Sequence, residues 1–514
     1  MEYYCYAQIN TLNTMKSFDA KTKSNLSLFN VTHQNTPNTS DISDTSDMLD
    51  NKSNLDNYDA TDEYLDAYKI TYGERINILQ TLQLKNYDAV SLTSLNICKY
   101  VKFAEKSEHS IKTNFLNYVV NNLIFNQNTF YDLLCTHASI NKIIIYNMCQ
   151  KNIINNATFA YLHKCNPQLF DEITELNSLF VDQNNIDKFH NLTKLSICNN
   201  SNITNVNHLS NTLICLHISG TCGVDQTGFC QLLKLQELNV ANNHKITSAN
   251  HLSDVLHTLN ISNNSRSMQK CGINQNGIVN LKYLVTLIAY NNEYITSVNH
   301  LADTLNVLYA SANCGIDQAG IDQLKNIVEL EAWANSKINN VNHFADTLKI
   351  LDASGKCGID QHGISELKYL EKLRVQNNEK INSVNHVSDT LVVLDAGRQS
   401  GINQRGILRL TKLVVLHAGY NTKIVNVNHL KLTLEVLGAL YTCGINQYGI
   451  SELCELRILN ADGNPTIASV NHLKYKLKVL HARETCGINT VGISDLKCLE
   501  KVDFHGNLRI KIRR

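Results

Sequence analysis

Two neighbouring stretches decide how this chain folds. The first is Leu305-Asn-Val-Leu308-Tyr-Ala310-Ser-Ala-Asn-Cys314-Gly-Ile316-Asp-Gln-Ala-Gly320, and the second is Ile327-Val-Glu-Leu330-Glu-Ala332-Trp-Ala-Asn335-Ser-Lys-Ile338. Each opens on Leu/Ile-x-x-Leu-x-Ala and then runs into a polar turn. The alternation in Leu-x-Ala predicts a short strand with one buried face. A single strand cannot bury that face alone, so copies must stack along a sheet to build a continuous core.

The copies are present. The second leucine of the pattern recurs at Leu195, Leu216, Leu238, Leu259, Leu287, Leu308, Leu330, Leu351, Leu373, Leu394, Leu416, Leu437, Leu459 and Leu480, then at Val502. The steps alternate between 21 and 22 residues except at one place. Cys-Gly-(Ile/Val)-(Asp/Asn)-Gln marks every second coil (type A) at Cys222, Cys271, Cys314, Cys357, Cys443 and Cys486; Ser400 replaces the cysteine once, and Thr490 replaces the last glutamine. (Val/Ala)-Asn-His keeps phase with it at His208, His251, His300, His343, His386, His429 and His472. The double unit is 43 residues, and six extra residues around Asn264 to Lys270 read as a loop insertion.

This pattern resembles the leucine-rich repeat, L-x-x-L-x-L-x-x-N/C-x-L. The type A tail is similar to the cysteine-containing subclass, with its cysteine one place later. The alternation and the Asn-rich style are similar to repeat proteins of giant DNA viruses of amoebae. The resemblance implies an α/β solenoid: a leucine-rich-repeat horseshoe with a parallel concave sheet and short helices or turns on the convex side. It covers about fifteen coils in residues 186–514. It also implies a ladder of asparagines bonded to backbone groups, at Asn200, Asn243, Asn292, Asn335, Asn378, Asn421, Asn464 and Asn507 in the type B coils. A buried amide both donates and accepts, so it can satisfy backbone groups that leave the sheet.

Other motif residues also read as structural. The Asp or Asn before Gln can cap a short convex helix, and Gly320 and its equivalents allow tight packing. Repeated Cys and His invite a zinc reading, but equivalent positions two coils apart are about 10 Å from each other. That is too far for a disulfide, or for one metal ion, to join a ladder to itself. Buried cysteine behaves as a small hydrophobe, and the Asn-His histidine is expected to be satisfied in a convex turn. No G-x-x-x-x-G-K-(S/T), H-E-x-x-H or G-x-S-x-G motif occurs. Repeats supply copies of one group rather than a set of unlike groups, so neither an enzyme, a cofactor nor a metal is expected.

The chain has 514 residues, with Lys+Arg and Asp+Glu both 46. That balance gives no general pull toward nucleic acid or an acidic membrane. Residues 1–8 lack the basic-then-apolar pattern of a secretory signal, and apolar runs such as Ile143-Ile144-Ile145 are too short to span a bilayer. An intracellular protein with reduced thiols is expected, cytoplasmic, and in the host cytoplasm if the source is viral.

Residues 1–60, rich in Asn, Ser, Thr and Asp, read as disordered. Residues 61–185 carry irregularly spaced strand motifs, including Leu176-Asn-Ser-Leu179-Phe-Val181, and read as an N-terminal cap of degenerate repeats and helices. The rival reading is an F-box-like module, which would make the protein a substrate-recognition adaptor of a ubiquitin ligase; no Leu-Pro start for one is present. The alternating tail after Leu508 reads as edge protection by basic residues, or else as a basic localisation signal.

The preferred function is a protein-binding scaffold that uses its concave face. The positions flanking the buried Ala or Ile face outward there. In mid-array they pick out Tyr290, Tyr309, Glu331, Trp333 and Asp352 as partner-binding residues, with Trp333 the sole tryptophan. The two acids point to a partner bearing Lys or Arg. The partner itself is an unknown protein.

Overall fold

The computed structural model describes residues 167–511, together with Asn156, Phe159 and His163. Segment 1–60, nearly all of the expected cap ahead of residue 167, and residues 512–514 lie outside the described residues. Sixteen three-residue strands, β1 (Glu175–Asn177) to β16 (Lys501–Asp503), form one parallel sheet in chain order. The middle residues of β2 to β16 are the fifteen expected positions, held in register from Leu195 opposite Leu216 to Leu480 opposite Val502. Leu308, Leu330 and Leu351 are fully buried, and Ala310, Ala332 and Ala353 beside them pack toward the back of the coil with no exposed surface.

The first strand differs from expectation. Leu176, not Leu179, lies opposite Leu195. Ile173 and Leu176 fill the core while Leu179 and Phe180 are exposed. The apolar run 176–181 imitates the strand pattern three residues late, because the inward spacing is met by Ile173-x-x-Leu176. Ahead of the sheet, Phe159, Phe170 and Phe189 form a buried aromatic cluster with ring centroids 4.8–6.4 Å apart.

Behind the sheet the coils are locked by amide side chains. Asn335 Nδ2 donates to Ala310 O (2.7 Å) and Ile316 O (3.0 Å), and its Oδ1 accepts from Lys337 N (2.9 Å). Asn378, Asn421, Asn464 and Asn507 repeat this bond for bond. The expected ladder is therefore present. A second ladder was not anticipated. Gln318 Oε1 accepts from Asn339 N (3.1 Å) and Asn340 N (2.9 Å) of the next coil, and Gln275, Gln361, Gln404 and Gln447 do the same. At the departure from the motif, Thr490 Oγ1 accepts from Lys511 N (2.8 Å).

The turns explain the remaining motif letters. Asp317 Oδ1 accepts Gly320 N (2.9 Å), and Asn403 caps Gln404–Ile407 through Arg405 N and Gly406 N. A Cβ on Gly315 would lie 2.3 Å from Glu293 O, and one on Gly320 would lie 2.2 Å from Thr296 O. Both carbonyls belong to the preceding type B coil, so that coil admits only hydrogen at these two places. Asn299 opens a single 3-10 turn, Asn299–Leu301, and bonds Ala319 O (2.7 Å) and Gln323 N (3.1 Å) across the coil boundary. The ring of His300 donates from Nε2 to Ile278 O (3.0 Å), and His429 and His472 repeat the contact. Burial lowers the pKa of all seven Asn-His histidines and keeps them neutral.

The ladder cysteines are buried, and burial pushes the thiols up, to about 11 at Cys314 and about 12 at Cys357. Their placement is that of small core residues. The six-residue insertion forms a loop whose ends are joined by Cys271 N donating to Asn263 Oδ1 (2.6 Å), with Met268 fully exposed. The segment at Arg509 and Lys511 bonds to the turn at Thr490 of the preceding coil, and the rest of the expected basic tail lies outside the described residues. Among the described residues no helix is long and apolar enough to cross a membrane.

Candidate functional site on the sheet face

Four strands present the expected site, β6 (Thr286–Ile288), β7 (Val307–Tyr309), β8 (Glu329–Glu331) and β9 (Ile350–Asp352), and β10 (Lys372–Arg374) lies next to them. Register places Tyr309, Glu331, Asp352 and Arg374 in one row, each on the strand next to the last. Tyr290 and Trp333 stand two residues beyond that row, where the chain leaves β6 and β8. All five expected residues therefore share one face, and the structure brings Tyr290, Tyr309, Glu331 and Asp352 into one connected group.

That group includes two residues which sequence reasoning missed, Glu329 and Arg374. Tyr290 OH donates to Glu331 Oε2, and Tyr309 OH donates to Glu329 Oε1 (2.7 Å). The two tyrosine rings lie 5.8 Å apart at 30°. Arg374 Nη1 is 3.8 Å from Glu331 Oε1 and 3.8 Å from Asp352 Oδ2, and Asp352 Oδ1 accepts Ser354 N (2.9 Å). Further along the row Gln376 donates to Asp395.

The acids do not stand free on the surface as expected. Glu331 is 7% exposed and Asp352 is 4% exposed, with Tyr290 and Arg374 against Glu331 and Arg374 against Asp352. Burial pushes the Glu331 carboxyl up to about 7, against the pull of the Tyr290 hydroxyl and Arg374, and pushes Asp352 up as well. Both tyrosine hydroxyls are likewise pushed well up by burial. Glu331 and Glu329 hold the two tyrosines by their hydroxyls, and Asp352 meets Arg374 and Ser354 N.

Trp333 is outside this bonded group and is 45% exposed. Its indole lies against Gly355, where a Cβ would come within 3.2 Å of Nε1. Further along the face lies an aromatic pair that was also missed. Tyr420 and Tyr441 stack with centroids 4.8 Å apart and planes at 16°. Both hold left-handed backbone, φ 62 and 54, at the position where other coils place Asn199, Asn242, Asn291 or Gly355. A bulky residue is disfavoured there and asparagine or glycine is not. The signal was available in the sequence as tyrosine at this position in two successive coils.

No family model matches the chain, and no curated protein matches it in sequence. Among solved structures it is similar to a leucine-rich-repeat protein of Leptospira interrogans, at 20% identity, over 66% of this chain and 85% of that one, with a TM-score of 0.41. It is also similar to the functional domain of InlJ from Listeria monocytogenes, which includes a cysteine ladder, at 16% identity, over 64% and 72% of the two chains, with a TM-score of 0.33. One strand per coil, sixteen strands in chain order and an asparagine ladder behind every second strand make this fold a leucine-rich-repeat solenoid.

Proposed function

We propose that the protein is a non-enzymatic scaffold that binds another protein on its sheet face, around Trp333, Tyr290 and Tyr309. The observation that carries this reading is preorganisation. The two tyrosines are held by their hydroxyls on buried carboxylates, and a half-exposed tryptophan stands beside them. Rings fixed before binding lose little freedom on contact, and Trp and Tyr dominate binding hot spots. The acids are turned inward, so the partner is recognised by apolar and hydrogen-bonding contact with the rings rather than by lysine or arginine. All eleven cysteines among the described residues are free thiols, which supports an intracellular, reducing location.

The test is affinity capture with the full chain, followed by calorimetry against the protein recovered. Trp333→Ala should lose about 2 kcal/mol or more of binding while circular dichroism stays unchanged. Tyr369→Ala, at an exposed ring in the segment leading into β10, should bind normally. Normal binding by Trp333→Ala together with loss in Tyr369→Ala would place the contact away from the Trp333 region and overturn the proposal. Recovery of a ubiquitin-ligase core subunit would extend the scaffold to the adaptor role, whose expected F-box-like region lies outside the described residues.

A further inference from the structure

Cys-Leu-His occurs once in the chain, at Cys215-Leu216-His217, and it forms strand β3 (Cys215–His217). Alternation buries Leu216 and leaves Cys215 and His217 on the open face. On the next strand, β4 (Glu237–Asn239), Glu237 lies opposite Cys215 in register. Three unlike side chains with metal-binding atoms thus converge: Cys215 Sγ is 3.4 Å from His217 Nε2, and His217 Nε2 is 2.8 Å from Glu237 Oε1. Among the described residues no other three His, Cys, Asp or Glu side chains converge this way.

We propose that Cys215, His217 and Glu237 form a three-ligand site for a divalent transition-metal cation, Zn2+ in a cell, with a fourth position open to solvent. The geometry is near that of a bound ion. Tetrahedral zinc with the usual bond lengths sets sulfur and nitrogen about 3.5 Å apart, and nitrogen and oxygen about 3.3 Å apart. The first spacing is already present. The second requires the Glu237 carboxylate to draw back by about half an ångström, and its side chain is free to do so because it is nearly half exposed. Burial grades from Cys215 at the floor, through His217, to Glu237 at the rim, which leaves one approach from solvent.

Two other readings of the cluster fit less well. A cysteine nucleophile activated by a histidine relay uses both ring nitrogens, one toward the thiol and the other toward the carboxylate. Here both neighbours converge on Nε2, so no relay exists. As a plain hydrogen-bonded set, His217 Nε2–H and the Cys215 thiol both donate to Glu237, which leaves the 3.4 Å contact between sulfur and Nε2 with no proton to bridge it. A cation satisfies all three atoms at once, once the thiol has given up its proton to solvent on binding. Thiolate and imidazole together favour zinc over magnesium or calcium. Lys194, on the strand before β3, lies opposite Cys215 and is the nearest cation in the row; Glu175 on β1 is in line with it.

The test uses full-length protein, stripped with a chelator, kept reduced, and titrated with Co2+ as a spectroscopic probe. Wild type should show a thiolate-to-cobalt absorption band that Zn2+ abolishes. Cys215→Ser should lose one equivalent of that band relative to wild type, and Cys454→Ser, at an exposed cysteine elsewhere, should lose none. His217→Gln and Glu237→Gln should each weaken the affinity by roughly tenfold or more. Circular dichroism and Tm check the fold, and Glu237→Gln, at the rim, keeps the test readable if Cys215→Ser does not fold. Equal uptake by wild type and Cys215→Ser, or unchanged affinity in both His217→Gln and Glu237→Gln, would overturn the site.

Discussion

At Asn335 one amide side chain holds two carbonyls and one N–H that have left the sheet. Removing it strands all three in the interior, where an unpaired polar group is costly. Asn335→Ala should therefore lose about 1–3 kcal/mol in denaturant titration. Asn313→Ala, at an exposed side chain of the adjacent coil, should lose under about 0.5 kcal/mol. Equal losses would mean that the ladder bonds carry no special weight. The opposite balance holds at Tyr420 and Tyr441. Left-handed backbone costs an ordinary residue about 1–2 kcal/mol, and a stacked pair returns about 0.5–1.5 kcal/mol. Replacing both with asparagine should leave Tm level or slightly higher. If the pair extends the binding face, the same variant should bind the captured partner more weakly; unchanged binding would confine the contact to the Trp333 region.

At the scale of strands and turns, Gly315 is the tightest test of how coils meet. A methyl group there lies 2.3 Å from a backbone carbonyl that cannot swing away. Gly315→Ala should cost about 1–3 kcal/mol, the usual range for overpacking, and a neutral result would show that the neighbouring coil can shift. These elements also show what a sequence reveals and what it hides. Fifteen strand centres from Leu195 to Val502 were readable because a buried leucine recurs at nearly constant spacing. Leu176 was missed because Leu179 and Val181 imitate the same pattern three residues on, although Leu179 itself is exposed. In the site, alternation put Tyr309, Glu331 and Asp352 on the right face, since that follows from a period of two. It could not tell that Glu331 would be buried, because this depends on Arg374 two strands away and on Tyr290 two strands back, both reaching along the face. Glu329 escaped notice because it sits in the parallel row on the other side of the buried leucine. The glutamine ladder was present as a motif letter, but its partners are backbone N–H groups one coil on, which leave no mark in composition.

Across the whole molecule, seven neutral histidines one double unit apart make stability depend on pH. Their folded pKa values lie below the usual 6.5, so the unfolded chain takes up protons that the folded chain resists. Stability is complete above that value and should fall as pH drops below it. Glu331 works the other way: its folded pKa is raised to about 7, so protonation between the ordinary 4.5 and 7 favours the fold. Asp352, also raised, acts in the same sense at lower pH. With seven groups against two, Tm should decline from pH 7 to 5. Changing His300, His343 and His429 to Gln should flatten the decline, and Glu331→Gln should steepen it. A Tm that rises on acidification would refute the assignment. The two coil types are also not interchangeable, because Gly315 and Gly320 fit only against the carbonyls of a type B neighbour. Excising 330–372, which is 43 residues, rejoins like to like and should leave a shorter protein that still melts cooperatively. Excising 330–350, a single coil, sets two type A turns side by side and should not. Copying errors in such a gene should therefore be tolerated only in even numbers of coils, so that the array should lengthen or shorten in steps of one double unit, 43 residues.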